Sequence, residues 1–495
     1  LTLALIAPSA FAEVSYTQRT LPDHVYSGGW EHYVGGGVAA FDCNGDQFPE
    51  LYAAGGENLA QLMVNVTSGV GEDLTFQANT PDDLAVTGVI GAYPLDINGD
   101  SVLDLAILRN GPDMLMQGHG NCTFSPFADL GFESGDHWTT AFSATWETGN
   151  TLPTLAFGTY VDRTNPDGPF ETCDDTLLYR PNGQSYGAAE ALEPGFCALS
   201  MLFTDWSRTG RADLRTSNDR HYYVRGGQEQ MWAMEDTPRL FGEDEGWQSY
   251  LLWGMGIASR DLNGDGFSDV YLTSMGDQKF QYFDPATGGP SYNDATYERG
   301  TTAHRPYTGG DGRPSTGWHA AFGDVNNDGL DDIFVAKGNV EQMPGAAMQD
   351  PNNLLIQSPD GSFTESGLEA GIANLARSRG AALMDMNKDG KLDLAVVNRR
   401  AQMELYQNTT DQGNWLIVQL VSSTSNTQSV GAHVELRVGD TGQTREITVG
   451  GGHASGQAGK IHVGLGQETE AEIRIIHPDQ SASDWQQVTA NQSVT

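Results

Sequence analysis

Asp261, Asn263, Asp265 and Asp269 stand at positions 1, 3, 5 and 9 of a loop within the stretch DLNGDGFSDVYLTS. Carboxylate and amide oxygens at that spacing suit Ca2+, which takes about six to eight hard oxygen ligands in a tolerant geometry. Mg2+ demands a stricter octahedron and keeps more of its water. Gly264 and Gly266 permit the sharp turns that such a loop requires. The backbone carbonyl of Phe267, at position 7, completes the expected set. An EF-hand opens with the same spacing but closes with Glu at position 12. Here position 12 is Leu272, in a β-prone run, so the loop joins two strands. Any single copy also reads as an ordinary Asp/Asn/Gly turn. Recurrence tips the balance toward a cation.

The loop returns as DCNGDQFPEL, DINGDSVLDL, DVNNDGLDDI and DMNKDGKLDL. The predicted ligands are Asp42, Asn44, Asp46, Phe48 and Glu50 in the first, and Asp96, Asn98, Asp100, Val102 and Asp104 in the second. The third is the Asp261 loop. Next come Asp324, Asn326, Asp328, Leu330 and Asp332, then Asp385, Asn387, Asp389, Lys391 and Asp393. In each loop positions 1, 3, 5 and 9 act through side chains and position 7 through its carbonyl, so about five Ca2+ sites are expected. Gln47 replaces the turn glycine of the first loop, which marks it as the weakest. Two decayed copies begin at Trp146 and Asp205, giving starts spaced 50 to 63 residues apart. The Trp146 copy has Thr148, Asn150 and Thr154 at ligand positions and should be metal-free. In the Asp205 copy, Arg208 and Arg211 can replace a cation by pairing with Asp205 and Asp213.

A period of this size signals a solenoid, propeller or array. An apolar strand precedes each loop (GGGVAAF, GWHAAFG, RGAALM) and another follows it (VYLTS, IFVAKG, LAVVN). A third run comes next, such as HYYVRG, NNLLIQ or MELYQN; a fourth opens at pairs such as Ser185-Tyr186 and Ser362-Phe363. Four strands per repeat, arranged radially, describe β-propeller blades. The last repeat lacks its fourth strand, and residues 14–20 have the missing pattern, so they are expected to close blade seven. The expected fold is all-β: a seven-bladed propeller over 13–410 and a small C-terminal β-sandwich-like domain over 411–495.

These loops resemble the FG-GAP/VCBS repeats of integrin-α-like propellers. GNWLIVQLVSSTSN, VGAHVELRVG, GGGHASGQAGKIHVGLG and EIRIIHPDQ follow the ASPIC/UnbV pattern in order. The whole chain resembles the cartilage acidic protein family, as a bacterial member. The resemblance implies that residues 450–459 of the small domain plug the propeller channel.

The chain carries 65 acidic against 26 basic residues, a formal charge of −39, which argues against nucleic acid or anionic membrane as partner. Part of that acidity belongs to the loops. Residues 1–12, LTLALIAPSAFA, read as a signal-peptide remnant ending in A-x-A. No later run has the length of a membrane span. Four cysteines fit an oxidising compartment. Cys173–Cys197 is the expected disulfide, whereas Cys43 with Cys122 looks less natural. Sequons stand at Asn65, Asn121, Asn408 and Asn491.

No Walker loop, H-E-x-x-H, nucleophile elbow or C-x-x-C occurs. His453 and Ser455, two residues apart without an evident acid, make a poor nucleophile pair. His319 is expected to be a packed core histidine. The expected function is an exported calcium-binding scaffold, secreted, periplasmic or on the cell surface. It is expected to be a non-catalytic monomer that recognises an extracellular protein or glycan. The alternative is an exported lyase or hydrolase working at the channel mouth.

Overall fold

A computed structural model describes residues 13–219, 226–302, 304–411, 413–439 and 441–495. The signal-peptide reading of 1–12 lies outside the described residues. The fold is all-β, as the repeats imply. Each apolar–loop–apolar unit forms an antiparallel meander. In the first, Val38–Phe41, Glu50–Ala53, Gln61–Asn65 and Phe76–Ala78 pair in sequence order. Four more four-stranded sheets begin at Ala198–Thr204, Gly254–Arg260, Gly317–Gly323 and Arg377–Met384. The strands starting at Val89–Leu95 and His137–Thr145 form two further meanders, joined by His137–Gly111 and Trp138–Asn110 pairs. We number these units one to seven in chain order, by their first strands.

Each first strand touches the first strand of the next sheet, and Arg377–Met384 touches Val38–Phe41, so the innermost strands make a closed ring. Sheet seven takes its outer strand from the other end of the chain: Tyr16–Arg19 pairs antiparallel with Glu404–Asn408. Three sequence expectations need correction. Ser185–Tyr186 pairs with Pro181–Asn182 as a separate hairpin, and the outer strand of sheet three is Glu190–Leu192. HYYVRG falls largely on 220–225, outside the described residues, and the third strand of sheet four is Gln230–Ala233. Cys43 and Cys122 do form a disulfide, alongside Cys173–Cys197. The turn before Phe124–Pro126 in sheet two lies against loop one, where the Cys122 N–H donates to the Cys43 carbonyl at 3.0 Å.

Residues 414–494 form two further sheets around a core of Leu416, Val418, Val434, Leu436 and Val463. Between them a glycine-rich segment enters the ring. Val449 bridges Ala144, Gly450 bridges Leu202 and Gly452 bridges Ile257, on sheets three, four and five. The His453 N–H donates to His319 Nδ1 on sheet six at 3.1 Å. Ser455 and Gln457 then bridge Ala92 and Ala40, on sheets two and one. The segment therefore plugs the axis, held by backbone bonds to one inner strand after another.

Such close approach needs glycine on the ring side too. A Cβ on Gly37 would lie 1.7 Å from the Ala454 carbonyl oxygen, and one on Gly91 2.0 Å from the same atom. Neither neighbour is a flexible side chain, so backbone must move. Gly37→Ala or Gly91→Ala is expected to cost about 1–3 kcal/mol by overpacking, read as a lower urea midpoint. Gly187→Ala, with open space around its Cβ position, is the control and should be nearly neutral.

Candidate metal centres

The five acidic loops share one bonding pattern, which follows from the residue types at alternate positions. The position 1 carboxylate accepts the N–H of position 6 on Oδ2: Gln47 at 2.8 Å, Ser101 at 2.7, Gly266 at 3.1, Gly329 at 2.7 and Gly390 at 2.9. Its Oδ1 takes the N–H of Gly45, Gly99, Gly264, Asp328 or Asp389. Asn at position 3 accepts the N–H of position 5. Asp at position 5 accepts the N–H of Phe48, Val102, Phe267, Leu330 or Lys391 at position 7. Side chains 1, 3 and 5 are thereby held on the inner side of each turn. Position 6 has positive φ throughout, even where Gln47 (71°) and Ser101 (68°) replace glycine.

Position 9 has a different job. Asp104, Asp269, Asp332 and Asp393 are buried, and one oxygen of each accepts the N–H of position 2: Ile97, Leu262, Val325 and Met386 at 2.8–3.0 Å. The other oxygen accepts an N–H at the end of the third strand: Gly118, Phe283, Gln357 and Asn408. In loop one the longer Glu50 takes the Cys43 N–H on one oxygen and the Asn44 amide on the other. Burial raises Glu50, Asp104 and Asp269 to about 8, with neighbouring loop carboxylates adding to the effect. Burial and mutual repulsion also push Asp324 and Asp332 well above the usual range. Among the described residues, none of the fifteen carboxylates at positions 1, 5 and 9 stands in an ion pair, whereas Asp331, at position 8 of loop six, pairs with Arg445 and Arg260. The cysteines beside Glu50 offer no ligand, because their sulfurs form the disulfide.

The decayed loops behave otherwise. In sheet four, Arg211 Nε lies 3.0 Å from Asp213, at position 9, and the Trp206 indole N–H donates to the same carboxylate at 2.7 Å. Arg208 does not pair with Asp205 as the sequence suggests. It reaches Glu435 of the C-terminal domain at 2.8 Å and the Gly266 carbonyl at 2.6 Å. Glu446, also from that domain, accepts the Asp205 N–H and the Thr204 hydroxyl. In sheet three Thr154 replaces the position 9 carboxylate and is fully buried.

The C-terminal domain sits over this loop face, which local sequence reasoning did not reveal. Thr427 Oγ1 donates to Asp96 Oδ2 at 2.6 Å, and the Thr444 N–H to Asp261 Oδ2 at 3.1 Å. Gln443 Nε2 donates to the Gly329 carbonyl, His462 Nε2 to that of Gly390, and Lys460 Nζ to that of Gln47. Arg445 pairs with Asp331 at 2.6 Å. The only advance signal was the many donors among residues 427–462 of an otherwise acidic chain.

The histidine–serine pair is absorbed by the plug. His453 Nδ1 bonds the Met255 carbonyl at 3.0 Å, and its Nε2 accepts the Gly35 N–H at 3.1 Å. Those bonds require a neutral ring, and burial lowers it to about 3. Ser455 Oγ donates to the His453 carbonyl and accepts the Val38 N–H, so it is not poised as a nucleophile. His319 is buried against the plug. Of the sequons, Asn65 and Asn408 are buried, with amides bonded to the Met386 and Val325 carbonyls; they tie each third strand to the neighbouring loop.

Comparison with known proteins follows the same division. Residues 422–495 match the family model described as ASPIC and UnbV. Human cartilage acidic protein 1 is 26% identical over 174 residues, covering 33% of this chain and 23% of that protein's length. Together these matches support a cartilage-acidic-protein-like family for the chain. Among solved structures, a complex of BBS1N with ARL6DN covers 80% of this chain and 97% of its own at 9% identity, with TM-score 0.46. An Agrocybe aegerita lectin, titled for recognition of non-reducing terminal N-acetylglucosamine, covers 76% and 94% at 14% identity, with TM-score 0.39.

Left-handed backbone at a side-chain-bearing residue costs about 1–2 kcal/mol relative to glycine's freedom there. Ser101→Gly and Gln47→Gly are therefore each expected to stabilise the protein, by up to about 1 kcal/mol after glycine's own entropy cost. Chemical denaturation in chelator reads the change, and a loss of stability contradicts the account of position 6.

Proposed function

We propose that the protein is an exported, calcium-binding scaffold that presents its propeller-like ring to an extracellular protein or glycan, without catalysing a reaction. One contrast carries the calcium reading. Where a loop keeps its acidic set, the carboxylates at positions 1, 5 and 9 stand in no ion pair among the described residues, and the one paired acid of these loops is Asp331 at position 8 of loop six, held by Arg445. Where the set has decayed, Arg211 supplies the positive charge beside Asp213. The donor set fits a hard divalent cation: three carboxylates and one amide oxygen per loop, with the position 7 carbonyl completing each site. Asp42, Asn44, Asp46 and Glu50 of loop one, with the Phe48 carbonyl, make the most altered of the five proposed sites. When bound, Ca2+ would neutralise those carboxylates and hold the loop closed.

The scaffold reading is supported by the plug, which occupies the axis with structural bonds, and by the saturated roles of His453 and Ser455. Two disulfides fit an oxidising compartment. No helix among the described residues is long and apolar enough to cross a membrane. A glycan array and a surface-protein pull-down, each run with Ca2+ and with chelator, test the recognition role. Calcium-dependent capture of a defined partner is expected; turnover of a bound glycan would favour the enzyme alternative.

Metal analysis of protein prepared in Ca2+ should find about five ions per chain, and a count near zero rejects the sites. Chelation should lower Tm markedly, since each independent site contributes about 2.7 kcal/mol at a hundredfold excess of free ion over Kd. The pH dependence has a definite sign. Glu50, Asp104 and Asp269 at about 8 lie above their unfolded values, so the metal-free fold favours their protonated forms. That contribution is fully present below the unfolded carboxylate range and is lost as pH rises through about 8. Calcium binding at pH 7 should therefore release protons, and the release should fade by about pH 9. Calorimetric titration in buffers of different ionisation heat measures it.

A further inference from the structure

The five acidic loops and the C-terminal domain touch at every loop. Most contacts fall on the position 1 residue and on the backbone of positions 4 to 6, with Arg445 adding an ion pair to Asp331 at position 8 of loop six. In loop two, Asp96 Oδ2 accepts both the Ser101 N–H and the Thr427 hydroxyl, while the Asp96 N–H donates to Gln428 at 2.9 Å. In loop five, Asp261 Oδ2 accepts both the Gly266 and the Thr444 N–H. In loop six, a Cβ on Gly464 would lie 1.8 Å from Asp324 Oδ2, and the Gly466 N–H reaches the Asn327 carbonyl at 2.9 Å. Loop seven presents the Gly390 carbonyl to His462 and its Cα to the Trp415 ring, where a Cβ would come within 2.0 Å. Loop one presents the Gln47 carbonyl to Lys460.

We infer that docking of the C-terminal domain, with its plug, is thermodynamically linked to cation occupancy of the loops on which it sits. The inference rests on the calcium reading above. In loops two and five the carboxylate that would face the ion from position 1 also accepts the domain's donors, and in all five loops positions 4 to 6 form the turn that the ion would close. Without an ion, the clustered carboxylates of each loop have no cation between them, and those at positions 1 and 5 repel at short range. Relief comes by opening the turn, which displaces the groups that Thr427, Thr444, Gln443 and His462 bond. Hydrogen bonds tolerate displacements of only a few tenths of an ångström before weakening steeply. Loops in five sheets would then release one cap together, and the plug is continuous with that cap. Linkage is reciprocal, so contacts made by residues that bind no ion must in turn tune affinity for it. Sheet four provides a fixed pivot, because its Arg208–Glu435 pair and the Glu446 bonds need no metal.

The test uses the full chain, Ca2+ as the probe and hydrogen exchange as the readout. The amides of Gly451, Gly452, Gly456 and Ala458 are bonded to inner-strand carbonyls and report on the plug. Chelation is expected to speed their exchange at least tenfold, with little change in Thr176–Tyr179 of metal-free sheet three. Thr427→Val, which removes a donor to Asp96 but no ligand, is expected to weaken one calcium site several-fold. Gly464→Ala should unseat the domain from loop six and raise plug exchange even in saturating Ca2+. Stoichiometric calcium with unchanged plug exchange on chelation overturns the linkage and leaves the calcium reading standing. So does wild-type affinity and plug protection in Thr427→Val, which remains informative if Gly464→Ala fails to fold. A metal count near zero overturns both.

Discussion

The buried carboxylate at position 9 is the constraint on which the ring depends. One of its oxygens holds the entrance of the loop and the other holds the end of the third strand, in four of the five acidic sheets. A single side chain therefore joins strands one, two and three at the same edge of the sheet. Charged hydrogen bonds to backbone N–H groups are among the stronger ones available, roughly twice the neutral kind. Placing them at zero exposure also removes competition from water. The cost is a negative charge away from solvent, raised further by the neighbouring Asp at positions 1 and 5. That cost is relieved by protonation or by positive charge nearby, and in sheet four a protein side chain, Arg211, provides the latter.

Neighbouring sheets are bound by the same edge. Asn65 and Asn408, at the ends of third strands, donate to the position 2 carbonyl of the preceding loop. The Cys43–Cys122 disulfide joins loop one to sheet two, closing a chain separation of 79 residues. In the chain-entropy account, a cross-link over that span is worth about 4–5 kcal/mol. The two disulfides lie in sheets one to three, and the decayed loops lie in sheets three and four. Covalent ties thus concentrate in the first half of the ring, whereas sheets five to seven carry buried ion pairs such as Lys337–Asp350 and Arg399–Glu341 beside their acidic loops.

The axis is organised by backbone rather than by side-chain chemistry. Glycines on the plug and on the inner strands bring chains within contact that any Cβ would block, as at Gly37 and Gly91 against Ala454. His319 and His453, the residues most able to do chemistry there, are buried, neutral and committed to backbone partners or to each other. The proposed recognition role would accordingly use the outer surfaces rather than the channel.

By itself the sequence determined the strands, the turns and the loop residues, because each is written in local periodicity: alternate polar oxygens, two turn positions, and apolar runs on either side. Even the substituted turn residues Gln47 and Ser101 adopt the glycine-like backbone that their place in the repeat demands. What the tertiary structure alone decided involves partners far apart in the chain. Cys43 finds Cys122 because adjacent sheets bring two turns together. Arg208 leaves its own loop for Glu435, since the C-terminal domain offers a carboxylate in reach that loop geometry withholds. The outer strand of sheet three moved from Ser185–Tyr186 to Glu190–Leu192, as the tight hairpin of Pro181–Tyr186 consumed the pairing expected there. Most of all, the seating of residues 427–462 on the acidic loops depends on how a ring closes, and no short-range pattern encodes that closure.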